Sequence, residues 1–223
     1  MALHAAEEES IEALKKWWED NGTAITVVVV AAALVWGGWT FWQSSTRAAT
    51  AAASDIYEEI LSIAAIEPGD TVSDTDRTRI VNLAEQLQVD HSGTVYALYG
   101  ALFAAQQAAA TNNLDEAEDQ LTWLLDNAQA GLFGNTDEGL LLTAQLRLGR
   151  VLSAKGEADR ALALIDSLDP GSFEADFAEL RGDIYVQQGR LVDARDAYTT
   201  ASQTGSSGSS FLQMKLDELG NLN

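Results

Sequence analysis

Twenty consecutive residues of this chain, Thr23 to Trp42, carry no charge: TAITVVVVAAALVWGGWTFW. A helix rising ~1.5 Å per residue turns such a run into a rod of about 30 Å, the hydrocarbon thickness of a bilayer. No other stretch of the chain has this character. The expected organisation is therefore a short tail at residues 1–22, a transmembrane helix at 23–42 and a large water-soluble part at 43–223.

A cleaved secretory signal has a positive leading region and a small-residue exit. Here the leading region holds Glu7, Glu8, Glu9, Glu12, Glu19 and Asp20 against Lys15 and Lys16, and the run ends in Trp36, Trp39, Phe41 and Trp42. Large aromatic rings favour the membrane–water interface, with Trp17 and Trp18 as the opposite belt. The segment reads as an uncleaved anchor. Lys15 and Lys16 before it, against Arg47 after it, favour a cytoplasmic N-terminus and a C-terminal domain across the membrane, which in a bacterium is the periplasm. Ala33 and Gly37 form a small-xxx-small pair. Such a pair serves as a candidate contact for another membrane helix, or simply belongs to a span rich in Ala and Gly. Ser10 to Asp20 reads as an amphipathic helix with Ile11, Leu14, Trp17 and Trp18 on one side, either extending the span or lying in the interface.

The part beyond the anchor is long enough for one domain with a substantial core. It is rich in Ala and Leu, contains only Pro68 and Pro170, and lacks long alternating patterns, so its expected class is all-α. Beyond Gln43 eleven basic residues face 28 acidic ones, a net −17. That charge excludes nucleic acid and anionic lipid as partners of the domain. There is no cysteine, and His4 and His91 stand apart from any metal-ligand set. Asp70, Asp74 and Asp76 lack the glycine and closing glutamate of a calcium loop. No nucleophile–base set, phosphate loop or paired catalytic carboxylates emerges, so no catalytic, cofactor or metal site is expected.

At a period near 34 residues the chain resembles itself. Three segments stack: ALYGALFAAQQAAATNNLDEAEDQLTWLL (97–125), AQLRLGRVLSAKGEADRALALIDSL (144–168) and FAELRGDIYVQQGRLVDARDAYTTA (177–201). Each has a small residue (Ala105, Gly149, Gly182) and, twelve positions on, an alanine (Ala117, Ala161, Ala194). The expected geometry is a helical hairpin whose A and B helices cross closely at these two positions. Asn112, Gly156 and Gly189 sit where helix A must end in a left-handed conformation, and Leu114, Ala158 and Leu191 open helix B. Leu121 and Leu124, Ile165 and Leu168, and Tyr198 and Ala201 continue the buried stripe. The first interval is longer than the second, and GLFGNTDEG (131–139) reads as an insertion between units. Residues 47–66 and 75–89 read as a further degenerate pair, the first continuing from the anchor. After the flexible ASQTGSSGSS (201–210), Phe211, Leu212, Met214, Leu216 and Leu219 form an amphipathic helix that caps the stack or binds a partner.

These segments resemble tetratricopeptide repeats, the third most closely. The whole is then a transmembrane helix followed by a tetratricopeptide-repeat-like α-solenoid, with a concave face lined by A helices. On that register the candidate partner groove comprises Tyr99, Leu102, Gln106, Leu146, Arg150, Glu179, Asp183 and Gln187, or some of these pack on the insertion and the C-terminal helix. A scaffold or regulator of the cell envelope fits the same architecture.

From end to end the layout resembles the ancillary subunits of the SecYEG translocon, the YfgM type. The resemblance runs through SIEALKKWWEDNG, GGWTFWQS, TVYALYGALFAAQQ, NNLDEAEDQL, AQLRLGRV, AELRGDIYVQQG and the QMK at 213–215. Two departures stand out: the acidity of the domain and the insertion. The resemblance implies a non-enzymatic, single-pass inner-membrane protein with a periplasmic repeat domain. Its implied partners are SecYEG, a membrane-anchored chaperone of the PpiD type and secretory clients. It also implies a link between the tail Met1–Asp20 and a stress-response regulator.

Overall fold

The computed structural model describes residues 2–65, 71–129, 137–205 and 210–220, with side chains from Lys15 onward except Ala24. The side chains of Ile11 and Leu14, Pro68 and Asp70 in the acidic loop, residues 131–136 of the expected insertion and 206–209 of the Ser/Gly stretch lie outside the described residues. Every regular element among the described residues is helical. The chain divides into two compact units, residues 1–51 and 52–223.

The first unit is helix α1, which runs Ala2–Ala64 and passes its last residues to the second unit. From Ile25 onward it is long and apolar enough to cross a membrane. Val27 to Val30, Leu34, Val35, Trp36, Trp39, Phe41 and Trp42 are exposed, as lipid-facing residues must be. Trp17 and Trp18 precede Trp39 by 22 and 21 positions in one helix, so the two aromatic belts stand ~30 Å apart. The hydroxyls of Thr26, Thr40, Ser44 and Thr46 donate to the carbonyls of Gly22, Gly37, Phe41 and Trp42 at 2.7–3.1 Å. Within hydrocarbon a polar group must find such an internal partner.

The second unit is built of helical hairpins. The end of α1 and α2 (Asp74–Asp90) stand where the degenerate pair is expected, joined by a shared apolar cluster and the Arg79–Glu59 ion pair rather than by the close helix approach of the later hairpins. Helices α3 (Val95–Ala110) and α4 (Leu114–Gln129), α5 (Glu138–Ala154) and α6 (Ala158–Asp166), and α7 (Glu174–Gln187) and α8 (Leu191–Thr204) form the three repeats. Helix α9 (Ser210–Gly220) closes the stack. Helices α4, α6 and α8 begin at the three residues expected from sequence.

The three A-to-B turns share one geometry. Asn112, Gly156 and Gly189 have φ of 59°, 79° and 72°, which Asn and Gly tolerate and other residues resist. At each turn the N–H of the next residue reaches back five positions, from Asn113 to the Ala108 carbonyl, Glu157 to Leu152 and Arg190 to Tyr185, at 2.8–2.9 Å. The left-handed residue itself donates three positions back, to Ala109, Ser153 and Val186. Both bonds satisfy carbonyls that a helix end leaves open.

Ala105, Ala117, Ala161 and Ala194 are buried, and so are Gly149 and Gly182. The neighbour that demands each small residue is not always the alanine twelve positions on. A Cβ on Gly182 would stand 2.3 Å from Tyr198 Cε1, because that ring lies on the glycine. A Cβ on Gly149 would stand 2.8 Å from Leu180 Cδ2, on the A helix of the following repeat. The second repeat departs from expectation at its end: α6 stops at Asp166, the Ser167 N–H turns back to the Leu164 carbonyl, and Leu168 lies past the helix and half-buried.

Three apolar clusters run along the stack. The first joins Ala53 and Ile60 of α1 to Ile80, Leu83 and Leu87 of α2 and Ala97 and Ala104 of α3. The large central one spans α3 to α7 and includes Leu121, Leu124, Leu146, Ile165, Phe177 and Ile184. The last sets Leu212 and Leu219 of α9 against Ala178, Ala194, Tyr198 and Ala201, leaving Phe211 and Met214 exposed.

The Gly182–Tyr198 approach makes a measurable demand. Gly182→Ala is expected to destabilise the repeat unit by about 1–3 kcal/mol through overpacking, lowering its thermal midpoint in the detergent-solubilised chain. Gly93→Ala, where an added Cβ meets nothing within 4 Å, is the control; it is expected to stay within ~0.5 kcal/mol of the parent.

Candidate functional site: an arginine-lined cleft between the first two repeats

The expected groove residues fall into five environments. Tyr99 is half-buried and stacks with Tyr57 of α1 at a ring separation of 5.6 Å, and Tyr96 and Phe103 complete an aromatic cluster around the same ring. Burial pushes the Tyr57 phenol above its ordinary range, and the neighbouring Tyr99 and Tyr96 add to the effect. Leu102 is half-buried against the central core. Leu146 is only 5% exposed, since α5 is covered by α4, α6 and α7 and turns that position inward.

Glu179 and Asp183 are brought together at the other end of the stack. Lys215 of α9 places its Nζ 2.7 Å from Glu179 and 2.6 Å from Asp183. Tyr198 donates its phenol O–H to Asp183 at 2.6 Å. Burial and that carboxylate hold the Tyr198 phenol far above its ordinary range. These two acids are thus engaged by the capping helix. Gln187 is exposed and donates its Nε2 to Ser153 Oγ at 2.9 Å, tying α7 to α5.

Gln106 and Arg150 meet in a cleft of about 460 Å³ between the end of α3, the start of α4 and α5. Ala105, Ala109, Leu114, Leu121, Val151 and Ala154 give it an apolar floor. Asn112, the left-handed turn residue, and Arg147 complete the polar lining. Arg147 is not among the groove residues expected from sequence. The available signal was its spacing, since residues three apart on a helix share a face. Arg147 is half-buried and its guanidinium is held below the ordinary arginine range, first by burial and then by the charge of Arg150.

The remaining cations of this unit are occupied. Arg77 pairs with Asp74, Arg79 with Glu59, Arg181 with Asp166 and Arg190 with Asp193, all at 2.6–2.7 Å. Lys155 lies 2.6 Å from both Asp115 and Glu118, and Arg160 joins Glu118 at 2.7 Å and also contacts Glu157. Arg195 donates to the Leu219 carbonyl at 2.6 Å. Among the described residues of the repeat unit, only Arg147 and Arg150 have neither an ion pair nor a hydrogen bond to their guanidinium. A larger cleft of about 660 Å³ between α2, α3 and α4 is different: Gln88 donates to Gln120 at 2.6 Å, and Gln120 donates to Glu116 at 2.9 Å. Three of its polar side chains are thus tied to one another, and Arg77, which pairs with Asp74, leaves its buried Nε without a partner at the edge. Among the described residues no group of three His, Asp or Glu stands close enough to hold a metal.

The family model for a tetratricopeptide repeat-like domain matches residues 15–221. A Haemophilus influenzae protein named ancillary SecYEG translocon subunit is 30% identical over 98% of this chain and 100% of its own length. The Escherichia coli K12 protein of the same name is 29% identical over 98% of this chain and 99% of its own. One from Aggregatibacter actinomycetemcomitans is 26% identical, again over 98% of this chain and 100% of its own. No solved structure matches.

The Lys155–Glu118–Arg160 network beside the cleft gives a pH signature. Hydrogen bonds from Lys155 and then Arg160 hold the Glu118 carboxyl below its ordinary value of 4.5. A depressed folded pKa contributes stability that is present above the unfolded value and is lost as pH falls through the folded one. Glu118→Gln is therefore expected to lower the thermal midpoint at pH 7. It should also narrow the difference from the parent as pH falls from about 5 to 3. Parallel melts across that range check both.

Proposed function

Because the chain belongs to the family of ancillary SecYEG translocon subunits, with its tetratricopeptide repeat-like domain, we propose that it works as a non-catalytic interaction module beside the Sec translocon of the bacterial inner membrane. The observation that carries this reading is similarity over nearly the full length of relatives that bear that name, membrane helix included.

In this reading residues 1–22 form a cytoplasmic tail, 23–42 the single span and 43–223 the periplasmic domain. Lys15 and Lys16 before the span, against Arg47 beyond it, support that orientation. The repeat domain takes hold of secretory chains as they leave the channel and acts with a membrane-anchored chaperone of the PpiD type. Its surface chemistry is that of recognition: an aromatic cluster at Tyr57, an apolar cleft with two unpaired guanidiniums, and elsewhere acids matched to bases. The exposed Ala33 and Gly37, the latter with open space at its Cα, offer a face on which a membrane helix of the translocon can approach closely.

Affinity purification of the full chain from membranes in mild detergent tests the proposal. SecYEG components are expected among the proteins retained, and their absence under conditions that keep the translocon intact would overturn it. Replacing residues 23–42 by an unrelated span then assigns the contact. Retained co-purification places it on the soluble domain, and loss places it on Ala33, Gly37 and their neighbours. Photocrosslinkers at Tyr99 and Arg150 are expected to capture secretory chains in translocating membranes.

A further inference from the structure

Arg147 and Arg150 present a problem of charge that the fold does not solve internally. They lie three positions apart on α5, both line the cleft, and neither makes an ion pair or hydrogen bond through its guanidinium among the described residues, in a domain carrying 28 acids beyond Gln43. The other cations of the same unit are ion-paired or, for Arg195, hydrogen-bonded to a carbonyl, Lys155 and Arg160 to several carboxylates within one helical turn of the cleft. Two guanidiniums side by side repel, and a half-buried one has given up water without a hydrogen-bond partner in return. An oxygen anion between them relieves both costs and matches the planar fork of arginine.

We propose that this cleft is the docking site for an extended peptide segment in which one acidic side chain is flanked by small or apolar residues, its carboxylate held by Arg147 and Arg150 together. The proposal rests on the partner-binding function above and names its ligand. The apolar floor formed by Ala105, Ala109, Leu121 and Val151 takes the flanking side chains. The amides of Gln106 and Asn112 stand on the lining, where an extended backbone offers bonding groups. Net charge limits the occupant further. At −17 beyond Gln43 the domain repels polyanions, anionic lipid surfaces and acid-rich tails, while a single carboxylate meets the local pair. The source of the carboxylate is a side chain and not a chain terminus, because a chain in transit through a channel presents its interior segments first.

The full chain in detergent micelles is titrated with two fluorescent nonapeptides of alanine and leucine, blocked at both ends. One carries a central aspartate and the other asparagine. The aspartate peptide is expected to bind roughly 10-fold or more tightly than its counterpart, the worth of a charge-assisted hydrogen bond. Arg147→Gln and Arg150→Gln are each expected to remove most of that preference, and the double variant all of it. Thermal melts serve as the folding check: neither substitution breaks an intramolecular pair, so the midpoints should equal or exceed the parent's. Equal affinity for the two peptides overturns the inference, as does a preference surviving in the folded double variant. A third peptide, with asparagine at the centre and a free terminal carboxylate, overturns it in favour of terminus capture if it binds better than the aspartate peptide. The same preparations are assayed for SecYEG co-purification. Lost translocon association in the parent sinks the functional reading, whereas intact association without peptide preference sinks this inference alone.

Discussion

The repeat unit depends on helices approaching more closely than ordinary side chains allow. At Gly182 the helix leaves a gap into which the Tyr198 ring fits, with no room for even a methyl group. That missing side chain has consequences several residues away. The ring lying on Gly182 carries its hydroxyl to Asp183, and Asp183 and Glu179 together receive Lys215, which fixes α9 across the end of the stack. Leu212 and Leu219 then cover the last apolar face, which a solenoid would otherwise expose. At Gly149 the same principle acts between repeats, where Leu180 of α7 fills the space. One device therefore closes a hairpin and stacks hairpins.

Charge organises the surface as size organises the interior. A domain this acidic would repel itself if its acids were scattered without partners, and several of its cations bridge elements: Arg79 links α2 to α1, Lys155 links α5 to α4, and Arg181 links α7 to the end of α6. Exposed pairs of this kind contribute little each, but Glu118 takes two cations and is 16% exposed, so its network is shielded better than an isolated surface pair. Against that background the unmatched Arg147 and Arg150 define a place where the surface departs from its own rule.

Much of the fold could be read from the residues. The left-handed positions were legible because only Asn or Gly suits them, and Asn112, Gly156 and Gly189 recur in register with the alanines that follow. The starts of α4, α6 and α8 follow from the same turns. What sequence could not specify was the identity of the neighbour across each contact. Spacing along one hairpin pairs Gly149 with Ala161, but the atom that excludes a side chain there belongs to the next repeat, whose placement depends on stacking. Leu146 illustrates the same limit: it lies four residues before Arg150 on one helical stripe, yet α5 is enclosed on several sides and only the arginine reaches the open cleft. Arg147 escaped notice because a stripe of the form i, i+4 passes it by, and the role of Lys215 depends on how α9 folds back after the Ser/Gly stretch.

The anchor sets how strongly such a surface has to bind. Ten residues separate Trp42, the end of the uncharged run, from Ala53, the first buried residue of the repeat unit. Eleven residue steps from Trp42 to Ala53 cannot reach beyond ~40 Å even fully extended. In the proposed role, a domain on so short a tether meets a chain emerging beside the span at an effective concentration in the millimolar range. An intrinsic Kd of about 1 mM, worth only ~4 kcal/mol, then suffices for occupancy. Two guanidiniums and a short apolar floor can supply that much, and a chain bound so weakly is released as quickly as it is taken up. In the proposed role tight binding would be a defect, since such a module has to let a moving polypeptide pass. The uncharged run and the shallow cleft are in this sense complementary, since the tether provides by position what the surface does not need to provide by affinity.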